Sequence, residues 1–430
     1  MAVRERIDCD VAVIGAGVAG LAAATRLRAL GLHVIVLEAG NRVGGRAHTV
    51  HPAQLGGLPL DMGASWFHVA AQNPLAKLAQ EAGVATAPFA PRTRLSALPG
   101  SAPSSAGGDR DEAEAAFYAL FEDLPPGPDS SVLDVLRRSG AANAWFPTIA
   151  TMEGAIVSAA DVADLSLADW RENALDDDNL WPNGGVGAFV ANHLAPAAGP
   201  VELGWAVDTI DWDAPFGGVA ISGPRGTLRA AACVVTVSTG VLASGAIRFT
   251  TPLPDGHVAA LADLPMGLLS KVVFPATAPA LLALEPDTGL ERQVAEYGDP
   301  AMVFIARPAG AALVVGHCGG QAAWALAREG GRALEDFARS ELVAIFGAAA
   351  RGWLPEGAAV VSGWGEDPLF AGAYSYGRPG CGDARDVLAQ PIGDGRLWLA
   401  GEACHRGMAG TVQGAWLTGV RAAEGVLAPG

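Results

Sequence analysis

An α/β fold is predicted by three features of this 430-residue chain. The first is an apolar run, VAVIGAG at 11–17, that reads as a short buried strand stopped by glycine. The second is G-x-G-x-x-G, made by Gly15, Gly17 and Gly20, in the turn opening an Ala- and Leu-rich helix. The third is a second strand, HVIVLEA at 33–39, with Glu38 near its end. Together they make the βαβ unit of a Rossmann-like dinucleotide-binding fold. Its glycines permit a tight turn, approach of a pyrophosphate to the backbone, and close packing of helix on strand. The helix N-terminus offers unpaired N–H groups and a positive dipole end to phosphate oxygens. Glu38 stands where a carboxylate bonds ribose hydroxyls. A tight turn without a ligand can carry the same glycines, but strand, helix, second strand and acid here keep the expected spacing. The motif alone does not separate NAD from FAD.

Composition narrows the class. The chain is 50% apolar and 17% charged, a well-buried globular protein long enough for two domains. A net charge of −17 argues against a nucleic-acid partner; it would draw cationic substrates, or serve solubility alone. Cys9, Cys233, Cys318, Cys381 and Cys404 are odd in number and far apart, which fits reduced thiols. His48 and His51 lack nearby Cys or Glu, so no metal is expected. The N-terminus runs within ten residues into the first strand, and no run approaches a membrane span. A cytoplasmic protein without membrane contact is expected, with monomer and homodimer both open.

After the second strand, GNRVGGR at 40–46 would bring two glycines, Arg42 and Arg46 near a diphosphate. Asp61 to His68 is a Gly-containing loop, and a helix follows from Pro74 to Gly83. Residues 88–111, rich in Pro, Ser, Gly and Ala without a period, read as a surface loop. Residues 111–124 form an amphipathic helix ended by Pro125-Pro126, and SVLDVLRRSG another, stopped by Gly140. An irregular aromatic region passes through Trp145, Trp170 and Trp181. The run Asp176–Asp178 is a solvated loop or an acidic entrance for a polycation. A helix is expected at 183–195, then a β meander over 201–249 with period-two stretches between Gly and Asp turns.

Lys271 lies in an apolar strand that follows a helix within 261–274; it either snorkels to the surface or serves a buried site. Strands AMVFIARP and AALVVGHCGG precede a helix at 329–346, where Leu334, Phe337, Leu342, Ile345 and Phe346 recur at helical spacing. Residues 359–380 are Gly- and aromatic-rich, and 396–427 read as strand, glycine turn, loop and helix.

Several of these stretches resemble the flavin-containing amine oxidase family, and its polyamine oxidase and spermine oxidase branch above the others. They are Glu38 with R-x-G-G-R, GASWFH at 63–68, M-G-x-x-x-K-V at 266–272, W-x-x-D-P…G-x-Y-S at 364–375, and GEA…GTVQGA at 401–415. CVVTVSTGVL at 233–242 is similar to a further segment, with Ser238-Thr239 in place of Pro-Leu. The resemblance implies a discontinuous FAD-binding domain at 1–85, 200–255 and 385–430. An α+β substrate-binding domain would take 86–199 and 256–384.

It implies that FAD is bound by Gly15, Gly17, Gly20, Glu38 and Arg46, by backbone at Gly63, Ala64, Ser65 and Trp66, and by Val207 at the adenine. Trp364 would line the flavin face, Glu402 approach the ribityl–phosphate region, and Thr411 and Val412 aim N–H groups at the flavin pyrimidine oxygen. Lys271 would bridge through water to flavin N5, Tyr374 wall the substrate, and His68 contact a polyamine; on its residues alone His68 reads as a hydrogen-bonded, half-buried histidine. Ala373 stands where the monoamine oxidase branch has cysteine, so FAD would be non-covalent. Cys404 replaces a more usual threonine.

The implied reaction is oxidation of an amine, a polyamine first, by hydride transfer to flavin N5, with imine hydrolysis and reduction of O₂ to H₂O₂. A monoamine, an L-amino acid or a porphyrinogen is the alternative substrate. A flavin-bearing interaction module without catalysis is the alternative from another class.

Overall fold

Strand β1 (Cys9–Ile14) buries five of its six residues. Such a strand needs cover on both faces, and the computed structural model supplies it. The structure describes residues 7–427 apart from 90–92, 99, 105–108, 123, 125–126, 176–177 and 331. β1 pairs in parallel with β2 (Val34–Leu37) on one side and with Gly226–Val235 on the other. Helix α1 (Val18–Ala29) makes the crossover from β1 to β2. The sheet continues through the antiparallel strands Val219–Gly223 and Thr209–Asp211, and Leu397–Leu399 lies beside Gly226–Val235. Both the βαβ unit and the meander are therefore present as the sequence predicts.

Glycine sets the spacing here. Gly15 has φ +99°, the left-handed region, and a Cβ on Gly20 would lie 1.9 Å from the Gly15 carbonyl oxygen. The last helix, Val412–Gly425, packs on α1 just as closely, since a Cβ on Gly419 would lie 2.1 Å from Ala19 O. Helix and strand, and helix and helix, touch backbone to backbone.

The second large sheet has the order Val360–Val361, Leu269–Pro275, Leu313–Gly319, Val303–Ala306, Thr288–Arg292, Arg94–Ala97. Its core holds Phe274, Phe304 and Leu290, with Leu334, Leu342 and Ile345 of helix Ala333–Phe346 against it. A smaller helical core gathers Phe117, Leu133, Phe146 and Ile149. All five cysteines are buried free thiols.

Four local expectations need correction or a limit. The loop expected over 88–111 contains a strand, Arg94–Ala97, which pairs in parallel with Thr288–Arg292. It is too short to show a period, and its tertiary partners fix it: Ser96 Oγ donates to Glu291 at 2.8 Å. The helix expected at 329–346 is observed as Ala333–Phe346, and a further helix that the sequence reading did not expect, Gly320–Glu329, precedes it and ends where Gly330 takes φ +98°. The helical stretch expected at 183–195 runs over Val186–Ala198 with a π-helical centre, and its Val186, Phe189, Val190 and Leu194 pack into the core beneath α1. Helix 111–124 is observed as Asp109–Ala119; Pro125-Pro126, like Asp176 and Asp177, lies outside the described residues.

The backbone contact at Gly20 gives the first testable outcome. Gly20→Ala should destabilise the protein by roughly 1–3 kcal/mol, the usual cost of forcing extra volume into a close-packed contact. Chemical denaturation checks this, and an unchanged midpoint would mean that α1 tolerates a wider spacing from β1.

Candidate active site

A cavity of about 1240 Å³ runs from the β1–α1 turn to one face of the second sheet. At its first end Gly15 and Gly17 form the wall, with Gly44 and Gly45 beside them. A Cβ on Gly17 would come within 4.0 Å of Gly45 Cα, so the two glycine backbones pack directly on each other and line the groove together. Glu38 also lines it, its Oε2 accepting from Ala16 N and its Oε1 from Gly40 N, each at 2.7 Å. Val207 and Arg46 line the same wall. Gly20 acts from beneath through its contact with Gly15. Arg42 is not on the wall; it lies 5.6 Å over the Phe370 ring.

Lys271 crosses from the second sheet to the 61–65 loop. Only 5% exposed, it donates from Nζ to Asp61 O at 3.1 Å, Gly63 O at 2.6 Å and Ser65 Oγ at 2.6 Å. The snorkelling alternative is therefore excluded, and an ammonium's three donors all have protein acceptors. Burial pulls its pKa down to about 8, with nearby Asp61 opposing the shift. The loop is held on other sides too. The Asp61 carboxylate accepts from Thr49 Oγ1, Val186 N and Gly187 N, and Trp364 Nε1 donates to Met62 O at 2.9 Å. A Cβ on Gly63 would lie 1.8 Å from Arg46 O. Gly63, Ala64, Ser65, Trp66 and Trp364 all reach the cavity.

Across the cavity Tyr374 packs on Gly410, and its hydroxyl donates to Val157 O at 2.9 Å. Glu402 is buried and accepts from four donors: Arg46 Nη1, Ser375 N, Ser375 Oγ and Gly410 N. Burial opposes its charge, but Arg46 and Arg385 hold its pKa below the ordinary carboxylate value. Arg385 in turn grips Asp169 with two bonds, Nε to Oδ1 at 2.6 Å and Nη2 to Oδ2 at 2.8 Å. Thr411 caps the 14-residue helix Val412–Gly425, its Oγ1 accepting from Gly414 N at 3.0 Å. Thr411 and Val412 thus present a helix N-terminus to the cavity. Cys404 is buried and is not among the wall residues.

The remaining wall is aromatic and acidic. Trp66 stacks with Phe89 at 5.0 Å and Trp181 at 6.3 Å. His68 Nδ1 and Asn179 Oδ1 are 2.7 Å apart, and burial lowers the histidine's pKa, leaving it neutral near pH 7. Glu153 lies on a π-helical turn, Met152–Ser158, and accepts from Tyr118 Oη at 2.6 Å. Burial raises its pKa. Sequence reasoning missed Glu153, His317 and the Asp169–Arg385 pair. One signal was available: Glu153 is the single acid in the apolar run 135–160, as His317 is the single histidine of its strand. The pairing of Asp169 with Arg385, 216 residues apart, leaves no such trace.

The model of the flavin-containing amine oxidoreductases matches residues 18–427. The chain belongs to this family. Polyamine oxidase 2 of Arabidopsis thaliana is 30% identical over 461 residues, covering 96% of this chain and 87% of that protein. Lysine-specific histone demethylase 1 homolog 2 of Oryza sativa subsp. japonica is 29% identical over 475 residues, but this chain spans only 57% of its length. Among solved structures, putrescine oxidase bound to putrescine has a TM-score of 0.76 at 20% identity, covering 97% of this chain and 98% of that one. Cyclohexylamine oxidase from Brevibacterium oxydans gives the same TM-score at 22% identity, with 97% and 98% covered. These two show the shared fold.

As a member of this family, the protein is an amine oxidase with FAD as cofactor. Its own residues fit that cofactor. Bare backbone at Gly15, Gly17, Gly44 and Gly45 on the cavity wall would let a diphosphate approach closely, and Glu38, just after β2, would stand near a ribose. The capped helix N-terminus at Thr411 would offer positive potential to a flavin oxygen. Among the described residues no helix is long and apolar enough to cross a membrane.

The buried pair predicts a pH response. Asp169 and Glu402 both have folded pKa values below their ordinary ones, Asp169 through Arg385 against the opposing effect of burial. Their contribution to stability is complete above the ordinary carboxylate range and is lost as pH falls through the lowered folded values. Asp169→Asn leaves Arg385 buried without its counter-charge, which should cost roughly 3–5 kcal/mol at neutral pH. The variant should also show a shallower loss of stability in acid. Thermal unfolding from pH 7 to pH 3 measures both; parallel curves for the two proteins would remove the pair from the account.

Proposed function

We propose that this amine oxidase acts on a di- or polyamine, and the observation that carries the reading is Glu153. Its carboxylate stands on the cavity wall three and four residues before Ile156 and Val157, whose carbonyls receive the Tyr374 hydroxyl. A carboxylate whose charge burial disfavours gains most from a cation brought against it. A substrate with one amine beside Tyr374 and a second a few methylenes away would bring that cation to Glu153. The chain's −17 charge favours the approach of such a substrate, and the polyamine oxidase relative agrees with the assignment.

When bound, FAD would supply the redox chemistry of the reading: two-electron oxidation of the amine to an imine, with O₂ reduced to H₂O₂. The chain's residues do the rest. Tyr374, backed by Gly410 and fixed at Val157 O, would form one side of the slot for the reacting amine. His68, neutral and fixed by Asn179, would offer a polar contact that does not repel the substrate's charge. Lys271 anchors the 61–65 loop. Loss of one proton from Nζ, eased by the lowered pKa, would free its lone pair for a water near the reaction centre. The binding of FAD is non-covalent in this reading, because Ala373 offers no thiol.

The histone demethylase relatives support a second reading, in which the amine is carried on a peptide. The same assay covers it when a methylated-lysine peptide stands beside putrescine, spermidine, benzylamine and an L-amino acid. Peroxide release should be greatest with putrescine or spermidine and should fall with added salt, which screens surface attraction. Glu153→Gln should lower kcat/KM for putrescine about 10- to 100-fold, as loss of a buried charge partner does. Benzylamine, with no second amine, should barely respond. Equal losses on both substrates would dismiss Glu153 as the distal anchor, and a better rate with the peptide would favour the second reading.

The cofactor claim has its own check. Acid precipitation of the purified yellow protein should leave FAD in the supernatant. Colour retained by the precipitate would mean a covalent bond.

A further inference from the structure

The second sheet carries a polar row directly across its strands. Ser362 and Lys271 exchange hydrogen bonds, Lys271 faces His317, and His317 faces Val303. His317 is 5% exposed and forms part of the cavity wall. Its Nε2 is sealed from solvent and has no hydrogen-bond partner among the described residues. Its neighbour Lys271 cannot satisfy it, because all three Nζ protons are already donated to Asp61 O, Gly63 O and Ser65 Oγ. A polar ring left unsatisfied in a protein interior costs free energy that a ligand able to bond it can recover.

We propose that His317 is a specificity-determining residue whose imidazole accepts a hydrogen bond from an N–H of the amine substrate. Burial, together with the charge of Lys271, pushes its pKa down to about 3, so the ring stays neutral and keeps a lone pair. A neutral imidazole has one accepting nitrogen, and an amine is the ligand class that arrives with donors. Which ring nitrogen meets the substrate depends on a ring flip and tautomer that the hydrogen-bond network assigns. Primary and secondary amines carry the required N–H when uncharged, and tertiary amines do not. The row therefore divides its work: Lys271 holds the loop, and His317 faces the substrate. This inference rests on the amine-oxidising reading above and adds a residue to it.

The test is anaerobic reduction of the holoenzyme by putrescine in stopped flow, with the N,N,N′,N′-tetramethyl analogue as second probe. His317→Leu should weaken apparent binding of putrescine about tenfold, the effect of one lost hydrogen bond that leaves a buried partner. FAD content and reoxidation of the reduced enzyme by O₂ should not change. His317→Gln, which keeps an acceptor, should recover most of the affinity. Wild-type enzyme should bind putrescine better than the tetramethyl analogue, and His317→Leu should narrow that difference. Putrescine affinity in His317→Leu within twofold of wild type overturns the inference while leaving the oxidase reading intact. A wild-type enzyme reduced by neither putrescine nor spermidine overturns the polyamine reading and this inference with it. If His317→Leu loses its FAD, the wild-type comparison decides, and equal affinity for the two probes overturns the inference.

Discussion

The structure depends on a buried line of charge that ties distant stretches of the chain together. It runs from Asp169 to Arg385, through Ser375 to Glu402, and ends on Arg46. Asp169, Arg385 and Glu402 sit where burial alone would oppose ionisation, and every charged group along the line is matched by a partner of opposite sign within hydrogen-bond distance. Such a line gives little net stability compared with apolar packing, but any single break leaves a charge stranded. It therefore acts more as a specification than as a source of stability. Arg46 belongs to the glycine-rich turn after β2, Asp169 to a helix over the far end of the cavity, and Glu402 to the turn before the last helix. Three distant stretches of chain are held at one set of spacings, and the cavity lies between them.

A second restraint works independently of the first. Lys271 is delivered by a strand of the second sheet and ends on the backbone of the 61–65 loop. The loop's other face is fixed by the close contact between Gly63 and Arg46 O, and by Trp364 bonding Met62 O. Two of the three Lys271 acceptors are backbone carbonyls, at Asp61 and Gly63, and the third is the Ser65 hydroxyl, so most of the contact does not depend on which side chains the loop carries. It requires only that a long, charged, fully buried side chain reach that far.

Much of this was legible in the sequence, and the reason differs by region. The βαβ unit could be read because its chemistry is local: three glycines, a buried strand and a terminal acid stand within thirty residues of one another. Lys271 could be read because a lone charge in an apolar strand demands an explanation, although residues alone left two. Arg94–Ala97 could not be read as a strand. Four residues show no period, and the interactions that make them a strand lie on Glu291 and on residues 288–292. The Asp169–Arg385 pair was hidden for the same physical reason, since its energy is long-range in sequence and each residue alone resembles a surface charge. Glu153 left one trace, a lone acid in an apolar run, but its π-helical turn, with a wider winding, breaks the 3.6-residue period that would place it on a face.

The five buried thiols bear on how such a protein ages. Burial raises the proton affinity of Cys9, Cys318 and Cys404 to pKa values of about 12, with Cys233 and Cys381 shifted in the same direction. The thiolate is the form that oxidants attack, and at neutral pH these sites hold almost none of it. An oxidoreductase with reactive thiols near its surface would accumulate sulfenic acids and mixed disulfides over its working life. Here the sulfur atoms are packed among aliphatic side chains instead, and the protein's durability under oxidative turnover is set by how seldom its interior opens.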